Sequence, residues 1–337
     1  MKVSLIIPCY NEQDSIQDLL AAICEQDYPL QDLEVVISDG MSTDATRDRI
    51  AEFAEAVPEL TLRVVDNPQR NIPAGLNQAI EAASGEILVR MDAHSLPHPD
   101  YLKFSVQALM DNKGDNVGGV INIKPANQSL IARSIALAAV HPLGVGDAKY
   151  RTGAQAGEVD TVAFGAYRAS LVERIGGYDE SLLTNEDYEF NVRVRKSGGK
   201  IWLDPKIRAT YISRSSLRAL AAQYWRYGYW KLRMLLRYPE TIRWRQVSGF
   251  FVLSWLVLGL LSIWFKAARW LLLGEAVIYG TALLAAGMSA AWKERDPGLV
   301  VGLPLAVATM HFSWGSGFLV SLIGFLFDKI FKIFIRN

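Results

Sequence analysis

Two cysteines in 337 residues, Cys9 and Cys24, exclude a disulfide-stapled secreted scaffold, and neither stands in a CxxC or Cys/His cluster. Both read as reduced thiols of a cytosolic domain. There is no internal repeat and no low-complexity segment, which removes solenoid, collagen, coiled-coil and disordered classes. The apolar run at the N-terminus, Val3–Ile7, is too short for a signal peptide and stops at Pro8, so it reads as a first buried strand. Net charge is also lacking: 35 basic residues balance 35 acidic ones. The balance hides a split, because residues 1–212 hold 20 basic and 30 acidic residues, and residues 213–337 hold 15 and 5. An acidic half joined to a basic, apolar half excludes nucleic acid as the first half's partner and points to a domain seated on an anionic membrane.

What is present begins with alternation. Short β-branched runs alternate with helix-period stretches over the first two hundred residues, the pattern of an α/β, mostly parallel sheet with crossover helices. Strands are expected at 2–7, 34–38, 61–65, 87–91, 117–123, 159–164 and 200–203, and helices at 15–26, 43–56, 73–83, 99–111 and 187–197. Residues 1–212 form the expected catalytic domain. Residues 213–246, with eight Arg and Lys from Arg214 to Arg245 against a single Glu240, read as interfacial amphipathic helices. Residues 247–337 read as a transmembrane domain with spans near 247–265, 270–292 and 299–327. The third is long enough to be tilted, broken or re-entrant, and Glu275 in the second faces a partner helix, water or the interface. The apolar stretch 129–140 reads equally as an interfacial helix or a core helix.

In an open parallel sheet, ligands bind beyond the carboxyl ends of the strands. Three such ends carry polar residues: Pro8-Cys9-Tyr10-Asn11-Glu12, Asp39-Gly40 and Asp92-Ala93-His94. Each alone is also ordinary turn or capping chemistry; together they make one rim. Asp92 and His94 suit a divalent ion on a diphosphate, where one imidazole moves the preference modestly toward Mn²⁺; His94 reads equally as a hydrogen-bond partner of the phosphate or of a neighbouring carbonyl. A further acidic group, Asn185-Glu186-Asp187 with Glu189, opens a helix. It reads either as dipole capping or as the carboxylate that takes a proton from an attacking hydroxyl.

Taken in order, Pro8–Glu12, Ser38–Asp44, Ala83–Glu86 with Met91–His94, and Asn185–Asp187 resemble glycosyltransferase family 2, inverting enzymes with the glycosyltransferase-A fold. Phe164–Arg168, Gly176–Glu180 and Gln223–Gly228 are similar to the succinoglycan-type, ExoA-like β-1,3-glucosyltransferases of bacterial exopolysaccharide synthesis. The resemblance implies an enzyme of the inner (cytoplasmic) membrane, multi-pass with a cytoplasmic catalytic domain, moving a sugar from a UDP-sugar, UDP-glucose first, to a polyprenyl-diphosphate-linked saccharide. Asp187 would be the general base. Pro8, Tyr10, Glu12, Asp39, Arg70, Asn77, Asp92 and Ala93 would bind the donor. Gly165, Ala166, Glu186, Gln223, Arg226 and Tyr227 would serve the acceptor and leaving diphosphate, and Asp92 with His94 would hold Mn²⁺ or Mg²⁺. Two positions depart from the family: His94 stands at the usual third DxD position, and Tyr227 replaces the usual Trp of QxxRW. The alternatives are a polyprenyl-phosphate monosaccharide transferase and an inactive scaffold of a polysaccharide complex.

Overall fold

The first strand is apolar on both faces, as a strand covered by helices on both sides must be. Val3, Leu5, Ile6 and Ile7 are fully buried. The computed structural model describes residues 1–152, 155–243 and 247–336. The strands are β1 (Val3–Cys9), β2 (Leu33–Asp39), β3 (Thr61–Asp66), β4 (Ile87–Arg90), β5 (Ser95–Pro97), β6 (Asn116–Lys124), β7 (Gly157–Glu158), β8 (Ala166–Arg168) and β9 (Ile201–Ile212). They form one sheet in the order β3-β2-β1-β4-β8-β6-β9-β5, with β7 also on β9. The first four strands are parallel, and β8 joins β4 antiparallel. The sheet is thus mixed and mostly parallel at its centre, and its order reverses at β1, which puts the switch-point crevice beyond the ends of β1 and β4.

Helices α1 (Ile16–Cys24), α2 (Thr46–Ala56), α3 (Ile72–Ala82) and α4 (Tyr101–Met110) connect the early strands. Pro73 stands in the first turn of α3, where its missing N–H costs nothing, and the Asn71 side chain accepts from the Ala74 amide as its cap. After β6 come α5 (Leu130–Ala138), α6 (Pro142–Val145) and α7 (Lys149–Thr152), then α8 (Ala169–Ile175) and α9 (Glu186–Lys196). The opposite, amino ends of β1 and β2 are tied for stability alone. The Ser4 hydroxyl donates to Glu34 at 2.6 Å, and the Ser84 and Gly85 amides donate to Glu34 and Ser4 at 2.8 Å. A Cβ on Gly85 would meet Ser4 at 2.6 Å, which explains the glycine.

Two strand expectations need correction. Residues 159–164 are not a strand: the Val159 amide donates to the Ile201 carbonyl, and the Asn191 side-chain amide donates to the Thr161 hydroxyl and the Val162 carbonyl, so side-chain bonds hold the buried Val162 in place of a continued ladder. The strand expected at 200–203 runs to Ile212, through Asp204-Pro205-Lys206, because β7 pairs with its start and β5 with its end.

The chain divides into two compact units, Met1–Asn122 with Ala148–Ile212, and Ile123–Asp147 with Ser213–Asn337. Residues 123–147 therefore belong with the C-terminal half, whereas the sequence kept 1–212 as one stretch. The second unit holds α5, α6, α10 (Leu217–Arg237), α11 (Val247–Leu261), α12 (Lys266–Glu294) and α13 (Leu299–Arg336). Its core joins Ile135 and Ala138 to Leu220, Leu283, Ala290, Leu303 and Met310. Helices α10 and α13 meet backbone to backbone, since a Cβ on Gly228 would lie 1.9 Å from the Trp314 carbonyl oxygen and one on Gly317 would lie 2.1 Å from that of Trp225. Arg245, the last of the basic run, lies outside the described residues.

Among the described residues two helices, over Lys266–Glu294 and Leu299–Asp328, are long and apolar enough to cross a membrane. The third stretch is one unbroken helix with Pro304 near its start, which excludes the broken and re-entrant forms. Within the stretch expected at 247–265, the described residues form the apolar helix α11, which ends at Leu261. Glu275 faces a partner helix, accepting from the Ser254 hydroxyl of α11 at 2.9 Å.

Candidate active site

Three loops leave the carboxyl ends of β1, β2 and β4, and those after β1 and β2 are held together by bonds from backbone amides to side chains. The Asn11 amide donates to the Ser42 hydroxyl at 2.8 Å, the Thr43 amide to the Asn11 side chain at 2.9 Å, and the Glu12 amide to the Thr46 hydroxyl at 2.7 Å. Five non-glycine residues with left-handed backbones, Asn11, Met41, Arg70, Phe164 and Asn185, stand in or beside expected site segments, with none in Asp92–His94, and Asn112 and Arg295 share the conformation elsewhere. Such strain is held only where the surroundings over-determine it, and it concentrates at binding sites.

Pro8 is half-buried and Tyr10 is exposed at the rim. Asp39 is fully buried. Its carboxylate accepts from the Ser42 amide and hydroxyl at 3.1 and 2.5 Å and from Arg47 Nε at 2.6 Å. Arg47 reaches on to Asp66 at 2.5 Å, so one guanidinium ties the ends of β2 and β3. Arg70 is exposed, its amide bonded to the Asn67 carbonyl. The Asn77 side chain is spent on the loop after α8: it donates to the Tyr178 carbonyl and Glu180 at 2.9 Å and accepts from the Tyr178 amide at 2.7 Å.

The centre of the rim is Arg90, the last residue of β4, a residue that sequence reasoning passed over. Its side chain is 7% exposed. Its Nη2 lies 3.2 Å from Asp92 Oδ1 and 3.0 Å from Glu186 Oε1, and its Nη1 lies 3.8 Å from Asp187 Oδ2. One buried cation thus gathers three carboxylates from two distant segments. Burial works against the charge on Arg90, but Asp92, Glu186 and Asp187 outweigh it and hold the guanidinium firmly protonated. Glu186 behaves oppositely: burial raises its carboxyl to about 7, Arg90 opposing and Asp187 reinforcing the rise. Asp187, in the first turn of α9, is the most open of the three, at 36% side-chain exposure, and accepts from the Tyr188 amide at 2.7 Å.

Ala93 is buried between Asp92 and His94. His94 Nδ1 lies 2.9 Å from Glu12 Oε1, and its ring meets Tyr211 edge-on at 5.3 Å. Gly165 packs on Asn116, where a Cβ would fall 2.2 Å from Oδ1, and its carbonyl accepts from the Arg90 amide at 3.0 Å. Ala166 is buried in β8. These residues belong to the first unit. Gln223, Arg226 and Tyr227 lie on α10 of the second, with Arg226 exposed and Gln223 donating to the Tyr227 hydroxyl at 3.0 Å.

A divalent cation would find Asp92 and His94 as its protein donors. No group of three or more His, Cys, Asp or Glu side chains stands ready for a metal among the described residues. A pair of donors fits an ion that arrives on a diphosphate and keeps its other positions for phosphate oxygens and water.

Residues 4–176 match the profile described as glycosyl transferase family 2. The succinoglycan biosynthesis protein ExoA of Rhizobium meliloti is 31% identical over 325 residues, covering 95% of each chain. A dolichyl N-acetyl-α-D-glucosaminyl phosphate 3-β-D-2,3-diacetamido-2,3-dideoxy-β-D-glucuronosyltransferase of Methanococcus voltae is 29% identical over 329 residues, covering 95% of this chain and 97% of its own. Among solved structures, the mannosyltransferase PcManGT from Pyrobaculum calidifontis, in complex with GDP-Man and Mn²⁺, superposes with a TM-score of 0.62 at 24% identity over 95% of this chain and 87% of its own, a likeness of fold. The ordered rim motifs, the mixed sheet that reverses at β1 and these similarities agree, and the chain belongs to glycosyl transferase family 2, with the glycosyltransferase-A fold.

Proposed function

We propose that this glycosyltransferase is an inverting enzyme of the inner membrane, its catalytic domain cytoplasmic, that moves glucose from UDP-glucose to a polyprenyl-diphosphate-linked saccharide during bacterial exopolysaccharide synthesis. The observation that carries the reading is the Arg90 cluster, which brings an open carboxylate at a helix start, Asp187, beside the carboxylate expected to face the diphosphate, Asp92. The succinoglycan relative and the long apolar helices support the acceptor and the membrane setting.

In this mechanism the acceptor hydroxyl is held against Asp187, which takes its proton as the oxygen attacks the anomeric carbon. The bond from that carbon to the diphosphate oxygen breaks on the opposite face, so configuration inverts. A cation held by Asp92 and His94 would supply charge neutralisation to the departing diphosphate. Arg90 holds Asp92 and Asp187 in place. Glu186, more deeply buried, meets the same Arg90 nitrogen as Asp92. Pro8, Tyr10, Glu12, Asp39 and Arg70 are proposed to receive the nucleotide, Asn77 to brace the loop at 178–180, and Gly165 and Ala166 to edge the acceptor space. Gln223, Arg226 and Tyr227 are proposed to serve diphosphate departure, a role that Arg226→Ala tests as a fall in kcat.

The deciding experiment incubates the purified protein in nanodiscs with bacterial lipid extract, Mn²⁺ and radiolabelled UDP-glucose. Label is expected in a lipid-soluble, acid-labile saccharide, and Asp187→Asn is expected to lose turnover while keeping UDP affinity. Residual activity above a few per cent in that variant would remove Asp187 as the base. Label confined to a lipid-phosphate monosaccharide would replace the acceptor assignment.

A further inference from the structure

The donor reading above leaves one pair unexplained: a histidine where the family has an acid, and a carboxylate bonded to it from another loop. His94 Nδ1 is 2.9 Å from Glu12 Oε1, and Glu12 Oε2 accepts the Ser15 hydroxyl at 2.6 Å. Glu12 is itself anchored, since its carbonyl accepts the Ser15 and Ile16 amides at the start of α1 and its amide is held by Thr46. Both side chains are partly open, at 29% and 23%. An ionised carboxylate only accepts, so Nδ1 carries the proton, and in a neutral imidazole the lone pair then sits on Nε2. A carboxylate behind an imidazole is the arrangement that sets the tautomer of metal-bound histidines and raises their basicity.

We propose that Glu12 is a positioning residue that fixes His94 as an Nε2 ligand of the diphosphate-borne cation, and that this pair makes the enzyme prefer Mn²⁺ to Mg²⁺. Asp92 supplies the oxygen donor two residues earlier, with one of its oxygens already engaged by Arg90. The preference follows from ligand type, because imidazole suits the transition metal better than the harder Mg²⁺.

The proposal rests on the donor reading, and the test separates the two. Mn²⁺ and UDP are added to the full-length protein in nanodiscs and followed by electron paramagnetic resonance, with ¹⁴N modulation reporting a coordinated imidazole. The wild type is expected to immobilise Mn²⁺ in the presence of UDP and to show the ¹⁴N signal. His94→Asp is expected to keep Mn²⁺ binding, lose the ¹⁴N signal and bind Mg²⁺ and Mn²⁺ more nearly alike. Glu12→Ala is expected to weaken Mn²⁺ affinity in the presence of UDP about tenfold or more, a larger factor than its effect on metal-free UDP affinity. A role for Glu12 only as a wall of the nucleoside pocket would weaken UDP by the same factor with and without metal, and that result overturns the proposal. Mn²⁺ bound with UDP but without ¹⁴N modulation overturns the proposal and spares the donor reading, whereas no Mn²⁺–UDP binding at all overturns both. Melting curves without metal confirm that each variant is folded before its affinities are compared.

Discussion

Arg90 carries more of the site than any other single side chain, because it neutralises three carboxylates that would otherwise repel one another in a buried setting. Arg90→Met is expected to destabilise the fold by about 3–5 kcal/mol, the usual cost of stranding buried charge, and to lower kcat more than it raises the KM for donor. Arg90→Lys, which keeps the charge but not the fork, is expected to recover stability in part and kcat much less. Glu186 gives a pH signature. Its folded value near 7 lies above its ordinary 4.5, so its contribution to stability is fully present below pH 4.5 and is lost as pH rises through 7, by about 3 kcal/mol in all. The melting temperature of Glu186→Gln relative to wild type should therefore rise between pH 5 and pH 8. A flat difference over that range would mean that Glu186 is ionised throughout. The acidic start of α9 is visible in the sequence, but Arg90 is not: it ends an apolar strand, and its role exists only because Glu186, ninety-six residues later, returns to it.

At the scale of elements, close approaches decide more than propensity does. Gly119 of β6 lies so near β9 that a Cβ would fall 1.7 Å from the Ile207 carbonyl oxygen. Gly119→Ala should force the two strands apart at a cost of about 3 kcal/mol or more, read as a lower melting temperature, whereas Gly157→Ala, with open space around it, should leave the melting temperature nearly unchanged. Long apolar strands such as β1 and β2, and helices with clear punctuation such as α3 and α9, are legible because local pattern and burial agree. Strands β5, β7 and β8 hold two or three residues each and exist only through their partners. Residues 159–164 mislead for the converse reason: their β-branched pattern is satisfied by Asn191 and Tyr101 side chains, and Tyr101 caps the strained Phe164 carbonyl.

At the scale of the whole molecule, the helical unit exposes Trp270, Ile278, Trp292 and Val301 by 69–89%, an apolar surface too large to leave in water. Membrane association should therefore resist high salt and yield to detergent, because burial of apolar area is not screened as ion pairs are. Release by salt alone would leave only the basic α10 as anchor. The alternating α/β order, the rim residues at the strand ends, the family and the apolar C-terminal half are all written in local pattern or in ordered motifs. Folding is what joins Arg90 to Asp92, Glu186 and Asp187, sets Glu12 behind His94 and assigns residues 123–147 to the helical unit. Those outcomes depend on contacts between residues far apart in the chain, and no local periodicity encodes which buried charge will find which partner.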